Sequence, residues 1–392
     1  MDMTALAQER ISLFRDTITG NGKANRVPHF GNLWSSWMAH DAGFKVSDAL
    51  FDYNNLEKVM RHTAENYKLD SFIEVGWRNP LIVDYSIGNF EYVVDDISSS
   101  ISIKDQCHMR VEEYDQLIAD PKKFLWETIM PRKYTHLQKK ENAGVYREFL
   151  QAYGAFGAYI GGTFGMLYNE YGSPNFISTN NVAFWGSYEY LFNNLRGFMG
   201  LSSDIHRCPD KVLAAIEALD SVFMDPGLEM VRSQPHGADL TACVDIFQVF
   251  LGHVILSEKQ FEKFYLPGLM KQIKYAEECD KIVFLFAEGE NSRLYDIFSS
   301  FPKDRVAILL EQDDIFEAKK RLPNMTICGG MPASLLGKGT PEECEAYAQK
   351  LIEELAYDGH YIFSADKMIS FPYDSTSANM KAVCDYTYNF RF

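Results

Sequence analysis

The sequence MTICGGMPASLLGKGTPEEC, residues 325–344, and the sequence GHYIFS, residues 359–364, begin and end one strand–helix–strand unit. Thr340 can cap a helix, Pro341 fits its first turn, and Glu343 stands three residues after the threonine, as in a capping box. Apolar residues follow at helical spacing until Gly359. Because the flanking runs 325–328 and 361–364 are typical of short buried strands, the unit predicts two parallel strands joined by a helix.

Other apolar runs repeat this pattern along the chain. The predicted strands are residues 27–33, 71–75, 156–161, 238–247, 282–287, 306–311, 325–328 and 361–364. The predicted helices between the later strands are residues 257–278, 291–300, 314–322 and 341–357. Alternation of strands and helices implies a parallel sheet, and eight strands favour closure into an α/β (β/α)8 TIM barrel.

Three segments fall outside this alternation. Residues 3–19 form a predicted amphipathic lead helix within an N-terminal helical extension, residues 1–25. Residues 80–145 contain short β-prone runs around a serine-rich turn, which predicts an insertion with a β-hairpin. An aromatic segment in residues 165–200 is placed to cover a barrel mouth. We therefore expect a single domain over residues 1–392, with these additions.

Composition restricts the classes of function. The chain has 392 residues and a net charge of −16, which argues against a nucleic-acid-binding surface. Its seven cysteines include no CxxC pair, which favours a reduced, cytoplasmic location over a disulfide scaffold. Neither a signal peptide nor an apolar run of about 18 residues is visible, so we expect no membrane partner.

The C-terminal block quoted above, together with residues 256–267 and the late run 377–382 (SANMKA), resembles the uroporphyrinogen decarboxylase superfamily. Asp245 also has a counterpart there. The resemblance is good over the C-terminal part of the chain and weak over the rest. It implies a (β/α)8 barrel with its active site at the carboxyl ends of the strands. It also implies one of two chemistries, namely porphyrinogen decarboxylation or methyl transfer to or from a corrinoid-bound cobalt.

The decarboxylase branch holds its polyanionic substrate with arginines in an N-terminal motif. The corresponding residues 28–37, PHFGNLWSSW, contain no arginine, and the acidic net charge would repel a polyanion. The methyltransferase branch fits better. That resemblance implies a substrate-side methyltransferase of a corrinoid-dependent O-demethylase system, with a methoxylated aromatic as donor. It also implies a partner protein that carries the corrinoid, and makes a homodimer plausible. A decarboxylase of a small acid and a non-catalytic barrel remain alternatives.

Zinc-bearing members of the superfamily carry His-x-Cys-Gly after one strand and a cysteine after a later one. Here the first position reads Phe286-Ala287-Glu288-Gly289, and the second, Ser364 to Lys367, has no cysteine. Zinc is therefore uncertain as a cofactor. Two hypotheses remain: an oxygen-ligand metal site from Glu288, Glu290 and Asp366, or direct acid catalysis by Glu288 or Asp366.

The remaining candidates each have a structural alternative. Asp245 either contributes to catalysis or forms a buried ion pair, and His29 either orients the substrate or is a core histidine. Glu288 and Glu290 could instead cap the following helix. Lys367 could pair with Glu288 in a purely structural role. The predicted pocket rings, which could instead form a core of their own, are Trp34, Trp37, Phe184, Trp185 and Tyr188.

Overall fold

The computed structural model describes residues 2–20, 24–138, 143–177, 186–234 and 241–392. The strands in this part of the chain are β1 (Phe30–Gly31), β2 (Ser71–Phe72), β3 (Tyr92–Asp95), β4 (Ser100–Ile103), β5 (Asn175–Ile177), β6 (Ala242–Val244), β7 (Ile246–Phe250), β8 (Val283–Ala287), β9 (Val306–Leu310), β10 (Thr326–Met331) and β11 (Tyr361–Ala365).

The α-helices described are α1 (Met3–Thr19), α2 (Ser35–Asp41), α3 (Val46–Leu50), α4 (Tyr53–Asn66), α5 (Leu81–Ile87), α6 (Tyr114–Ala119), α7 (Pro121–Phe124), α8 (Met130–Lys133), α9 (Ala143–Tyr171), α10 (Ser187–Tyr190), α11 (Gly197–Arg207), α12 (Pro209–Leu219), α13 (Asp225–Arg232), α14 (Glu258–Gln260), α15 (Leu266–Glu278), α16 (Tyr295–Phe298), α17 (Ile315–Arg321), α18 (Ala333–Lys338), α19 (Pro341–Leu355) and α20 (Ser377–Asn389). Within the described ranges, no helix is both long enough and apolar enough to cross a membrane.

The fold is α/β, with a parallel five-stranded sheet in the order β11-β10-β9-β8-β7. Two further parallel pairs are β1–β2 and β5–β6. Parallel bridges from His29 to Phe363 and from Leu33 to Ile369 place β1 beside β11. The architecture is therefore TIM-barrel-like, with neighbouring parallel strands whose carboxyl ends point to one side. An antiparallel hairpin, β3–β4, lies in the predicted insertion.

The strand–helix–strand unit quoted first is confirmed. The Glu343 N–H donates to Thr340 Oγ1 at 3.3 Å, and the Thr340 N–H donates to Glu343 Oε2 at 2.9 Å, so the capping box is formed. Strand β10 pairs in parallel with β11, with Cys328 opposite Ile362. Local sequence signals thus suffice for this part of the fold.

The predicted strand at residues 156–161 is wrong, because these residues belong to the 29-residue helix α9. Its buried positions, Tyr159, Thr163, Met166 and Leu167, follow helical spacing. Five glycines in residues 154–165 weaken the helical pattern in the sequence. Tertiary packing of one face against α1, α4 and α5 overrides that weak propensity.

Two other strands also differ from what the sequence predicts. The three-residue strand β5 was not predicted, because its segment is short and starts at a serine–proline pair. The predicted strand at residues 238–247 is instead the pair β6 and β7, separated at Asp245. Residues 238–240 lie outside the described residues.

Alternate residues of the strands enter two different hydrophobic clusters. In β8, for example, Phe284 and Phe286 belong to an inner cluster, whereas Val283 and Leu285 face the cluster shared with the surrounding helices. The inner cluster also receives Phe14 of α1. Strands buried on both faces read as continuous apolar runs, as these do. The hydroxyl of Thr326, the first residue of β10, donates to the Thr17 carbonyl at 3.2 Å, so helix α1 covers the sheet from the side opposite the carboxyl ends of its strands.

Candidate active site

Polar side chains follow five of the parallel strands at the point where each strand ends. Asn32 follows β1, Glu74 comes two residues after β2, Glu288 follows β8, Glu311 follows β9, and Asp366 follows β11. Because these strands are parallel, their carboxyl ends lie at one edge of the fold, which we call the carboxyl edge. In barrel-like enzymes, this is the edge that carries the chemistry.

A small cavity opens at the carboxyl edge. Its apolar wall comes from Phe286 and Leu309, which end the inner cluster. The remaining residues that line it are polar or carry sulfur, namely Asn32, Glu288, Glu311, Lys367 and Met368. A ligand here would meet apolar surface on one side and carboxyl, amide and ammonium groups on the other.

Glu288 is held half-buried at this cavity. Its backbone N–H donates to the Phe250 carbonyl at 3.1 Å, which continues the β7–β8 pairing by one residue. Burial and, to a smaller extent, the negative charge of Glu311 together raise the pKa of its carboxyl to about 7, while Arg78 opposes the change. A carboxyl group with this pKa is protonated in a large fraction of the molecules near neutral pH, so it can donate a proton.

Two further carboxyl groups lie at this edge: Glu311 acts electrostatically on Glu288, and Asp366 is near Glu311. Glu311 Oε2 accepts the Gly289 N–H at 2.7 Å, which fixes it next to the residue that follows Glu288. Asp366 Oδ1 accepts the Ala333 N–H at 3.0 Å, and burial raises the pKa of its carboxyl. The sequence analysis missed Glu311 because residue 311 was included in a predicted strand. Its position directly after an apolar strand, as for Glu288, was the available signal.

Arg78 supplies a cation that the sequence analysis also missed. Its guanidinium lies 5.6 Å from the Trp34 ring centre and donates to Met368 Sδ at 3.2 Å. Its Nε is 3.9 Å from Glu74 Oε2. Residues 28–37 contain no arginine, but the loop after β2 brings one to the same edge. Trp34, whose indole N–H donates to Asn79 at 2.6 Å, lies under Arg78 at this edge, and its role in substrate binding stays a prediction.

Two buried glutamates border this group. Glu74 accepts the Gly76 N–H, and burial raises the pKa of its carboxyl to about 7. Glu189 of α10 accepts the N–H groups of Leu251 and Gly252 and the hydroxyl of Tyr265, and burial raises its pKa to about 7 as well. Glu189 therefore fixes the segment after β7, and its charge also raises the pKa of Glu288.

Asp245 is not brought to the carboxyl edge. It lies between β6 and β7, at the amino end of β7, where Arg15 of α1 donates to both of its oxygens at 2.6 and 2.9 Å. The Ile282 N–H donates to Asp245 Oδ2 at 3.0 Å. Asp245 therefore forms a buried ion pair, which was the alternative to a catalytic role.

Three other predicted residues serve packing or capping. His29, at the amino side of β1, contacts Thr387 at 2.8 Å, and burial lowers the pKa of its ring to about 4. Trp37 is 1% exposed, and its indole N–H donates to the Ser375 carbonyl at 3.0 Å. Glu290 is exposed and accepts the Ser292 N–H at 2.7 Å, which was its alternative as a helix cap.

The remaining predicted pocket rings are not placed at the cavity. Tyr188 is buried, and its hydroxyl donates to the Gly252 carbonyl at 3.2 Å beside Tyr265. It therefore packs around Glu189. Phe184 and Trp185 lie outside the described residues. Lys367 pairs with Asp374 at 2.8 Å, and not with Glu288 as the sequence analysis considered.

The hypothesis of a metal held by Glu288, Glu290 and Asp366 is not supported by the side-chain placement. Glu290 is committed to capping, and in the described ranges no three His, Cys, Asp or Glu side chains are arranged to hold a metal ion. These residues therefore do not fit a zinc site.

The fold and the carboxyl-edge cavity define a barrel-like α/β protein with an acid-bearing pocket. A model of the uroporphyrinogen decarboxylase (URO-D) family matches residues 180–390. Because this is more than half of the chain, the protein belongs to that family, and the resemblance inferred from the C-terminal block is confirmed.

Two further similarities are more limited. A solved structure named methyltransferase from Methanosarcina mazei superposes with a TM-score of 0.61 over 97% of this chain and 98% of that chain, at 11% sequence identity. At this identity the similarity shows the fold alone. The large ribosomal subunit protein uL5 of Kosmotoga olearia is 33% identical over 88 residues, 21% of this chain. The match spans 48% of that curated relative, about half its length, so it shows no shared family.

Proposed function

We propose that this protein is the substrate-side methyltransferase of a corrinoid-dependent O-demethylase system. It moves a methyl group from a methoxylated aromatic to the corrinoid of a partner protein. The observation that carries the proposal is Glu288, a carboxyl whose pKa is raised to about 7 at the carboxyl edge of a URO-D-family fold. The similarity to a structure named methyltransferase supports this choice within the family.

The chemical demand of the reaction is a better leaving group. The partner's reduced corrinoid supplies the electron pair that forms the new bond to the methyl carbon. The bond between that carbon and the ether oxygen breaks, and its electron pair stays on the oxygen. Glu288 donates its proton to this oxygen, so that a neutral phenol leaves in place of a phenolate.

The surroundings of Glu288 suit this role. Phe286 and Leu309 offer apolar surface to an aromatic ring, and Trp34 lies at the same edge under Arg78. The charge of Glu311 disfavours ionisation of Glu288, which favours the protonated form of Glu288 at neutral pH.

We infer that the strands close into an eight-stranded barrel, as one domain over residues 1–392 with an N-terminal extension (1–25) and an insertion (80–145). Counting β6 and β7 as one, the parallel strands in the described part of the chain number eight, and the bridge from His29 to Phe363 joins the last to the first. Between β2 and β5, the Ser71 hydroxyl donates to the Pro174 carbonyl at 2.9 Å. Closure would give the carboxyl edge the form of a single mouth, over which a partner protein docks.

The test uses the purified full chain with 2-methoxyphenol and chemically reduced free cobalamin, and follows methylation of the corrinoid by its visible absorbance. We expect methylation by the unchanged protein and by Glu290→Gln, and a loss of about 10²- to 10⁴-fold in Glu288→Gln. Glu290 is the matched control, because it is an exposed carboxylate two residues away. Carbon dioxide release from a carboxylated analogue without methyl transfer from any ether would contradict the proposal.

A further inference from the structure

Asn32 is a buried amide without a hydrogen-bonding partner at the carboxyl edge. Its side chain is 1% exposed, and within the described residues neither its Oδ1 nor its Nδ2 has a hydrogen-bond partner. Its backbone is fixed, because its carbonyl accepts the Ile369 N–H at 2.9 Å between the bridges at His29 and Leu33. Such an unpaired buried amide is unfavourable unless another molecule completes it.

The surroundings of the amide identify what would complete it. Asn32 lines the cavity that Glu288 and Glu311 also line. The Lys367 ammonium that lines this cavity is already paired with Asp374, so Glu311 would repel a carboxylate at this position. A purely apolar group would leave the amide unpaired. A neutral group that both donates and accepts, such as a hydroxyl, satisfies an amide oxygen and an amide N–H together.

We infer that Asn32 is a substrate-binding residue that recognises a neutral hydroxyl or carboxamide group on the substrate, next to the ether oxygen that Glu288 reaches. This inference rests on the proposed function, since it takes the methyl ether as the reacting group. Because Asn32 and Glu288 line the same small cavity, the two recognised groups lie close together on one substrate molecule. Asn32 thereby sets which methyl ethers the site accepts.

The test compares binding of 2-methoxyphenol and methoxybenzene to the full chain by calorimetry, without any corrinoid. Asn32→Leu keeps the side-chain size and removes the amide. We expect the unchanged protein to bind 2-methoxyphenol about 10-fold more tightly than methoxybenzene, and Asn32→Leu to bind the two equally. We also expect Asn32→Leu to raise the melting temperature of the ligand-free protein, since it removes unpaired buried groups.

Asn324→Leu is the matched control. The Asn324 amide donates to the carbonyls of Phe298 and Phe301 at 3.0 and 2.9 Å, so its removal should lower the melting temperature and leave the binding ratio unchanged. An unchanged binding ratio in Asn32→Leu, or a melting temperature lowered as in Asn324→Leu, would overturn the inference. Failure to bind either compound would contradict it together with the proposed function. Binding with the expected ratio but without methyl transfer would contradict the proposed function alone.

Discussion

Burial and like charge act in the same direction on Glu288. Burial disfavours the ionised carboxylate, and Glu311 adds repulsion, so the pKa rises from its usual range to about 7. A general acid must be protonated to act, so activity should fall as the pH rises through about 7. The two contributions can be separated, because Glu311 can be neutralised without changing the burial of Glu288.

Glu311→Gln should move the alkaline limb of the pH–rate profile to lower pH by about half a unit to one unit, since it removes the repelling charge. The profile of methyl transfer between pH 5 and pH 9 measures this shift. Glu290→Gln serves as the control and should leave the limb in place. A limb that does not move in Glu311→Gln would show that the charge of Glu311 does not act on the titrating acid.

Glu74 links the pKa values of this edge to stability. Its pKa is about 7 in the folded protein and about 4.5 in the unfolded chain, so the folded state binds the proton more tightly. The free energy of unfolding therefore falls as the pH rises from about 4.5 through 7. Ionisation of this buried group opposes folding at alkaline pH.

Glu74→Gln should consequently gain stability relative to the unchanged protein as the pH rises. The difference in the free energy of unfolding between the two proteins should increase by about 2 kcal/mol from pH 5.5 to pH 8.5. Urea unfolding at the two pH values measures it. If the difference is the same at both pH values, the carboxyl of Glu74 does not have a raised pKa.

At the scale of elements, α1 is fastened to the amino side of the sheet by two buried ion pairs. Arg10 contacts Asp70 at 3.2 Å, and Arg15 contacts Asp245 at 2.6 Å. Removing one partner from a buried pair leaves the other charge without compensation, which destabilises a protein by about 3 kcal/mol. This side is opposite the carboxyl edge, so the pairs should act on stability and not on turnover.

Asp245→Asn should therefore lower the free energy of unfolding by about 3 kcal/mol and leave turnover per folded molecule unchanged. Denaturant unfolding and the methyl-transfer assay measure the two effects. Glu170→Gln is a suitable comparison, because the Arg61–Glu170 pair is exposed and should contribute less than about 1 kcal/mol. A large loss of turnover in folded Asp245→Asn would restore the catalytic interpretation of this residue.

Local signals predicted the elements whose sequence carries them. The capping box at Thr340 and the apolar runs of β8 to β11 are short-range patterns, and the structure follows them. The strand prediction for residues 156–161 was wrong because this glycine-rich segment is a weak helix former that becomes helical only through tertiary contacts. Strands β1 and β2 are two residues long, so their roles depend on pairing partners far away in the sequence.

At the scale of the whole molecule, the sequence predicted the α/β, TIM-barrel-like fold class, and it pointed to part of the candidate site, whose roles stay predictions. Glu288, Asp366 and Trp34 could be predicted because each stands where an element begins or ends. Arg78 and Asn32 could not, since their roles depend on which loops meet at the carboxyl edge. Asp245 and His29 looked similar to site residues, yet they lie on the opposite side because direction along a strand decides which end a residue occupies.

The assignment of Glu288 as the general acid concerns the activity of the whole molecule. It is tested most directly by how the effect of removing the acid depends on the leaving group of the donor. Transfer from 2-methoxyphenol is compared with transfer from 2-methoxy-5-nitrophenol, in which the nitro group para to the ether oxygen makes that oxygen a better leaving group. We expect Glu288→Gln to slow transfer from 2-methoxyphenol by about 10²- to 10⁴-fold, and to slow transfer from the nitro compound by a factor at least about 10-fold smaller. Equal slowing of both donors would contradict proton donation by Glu288.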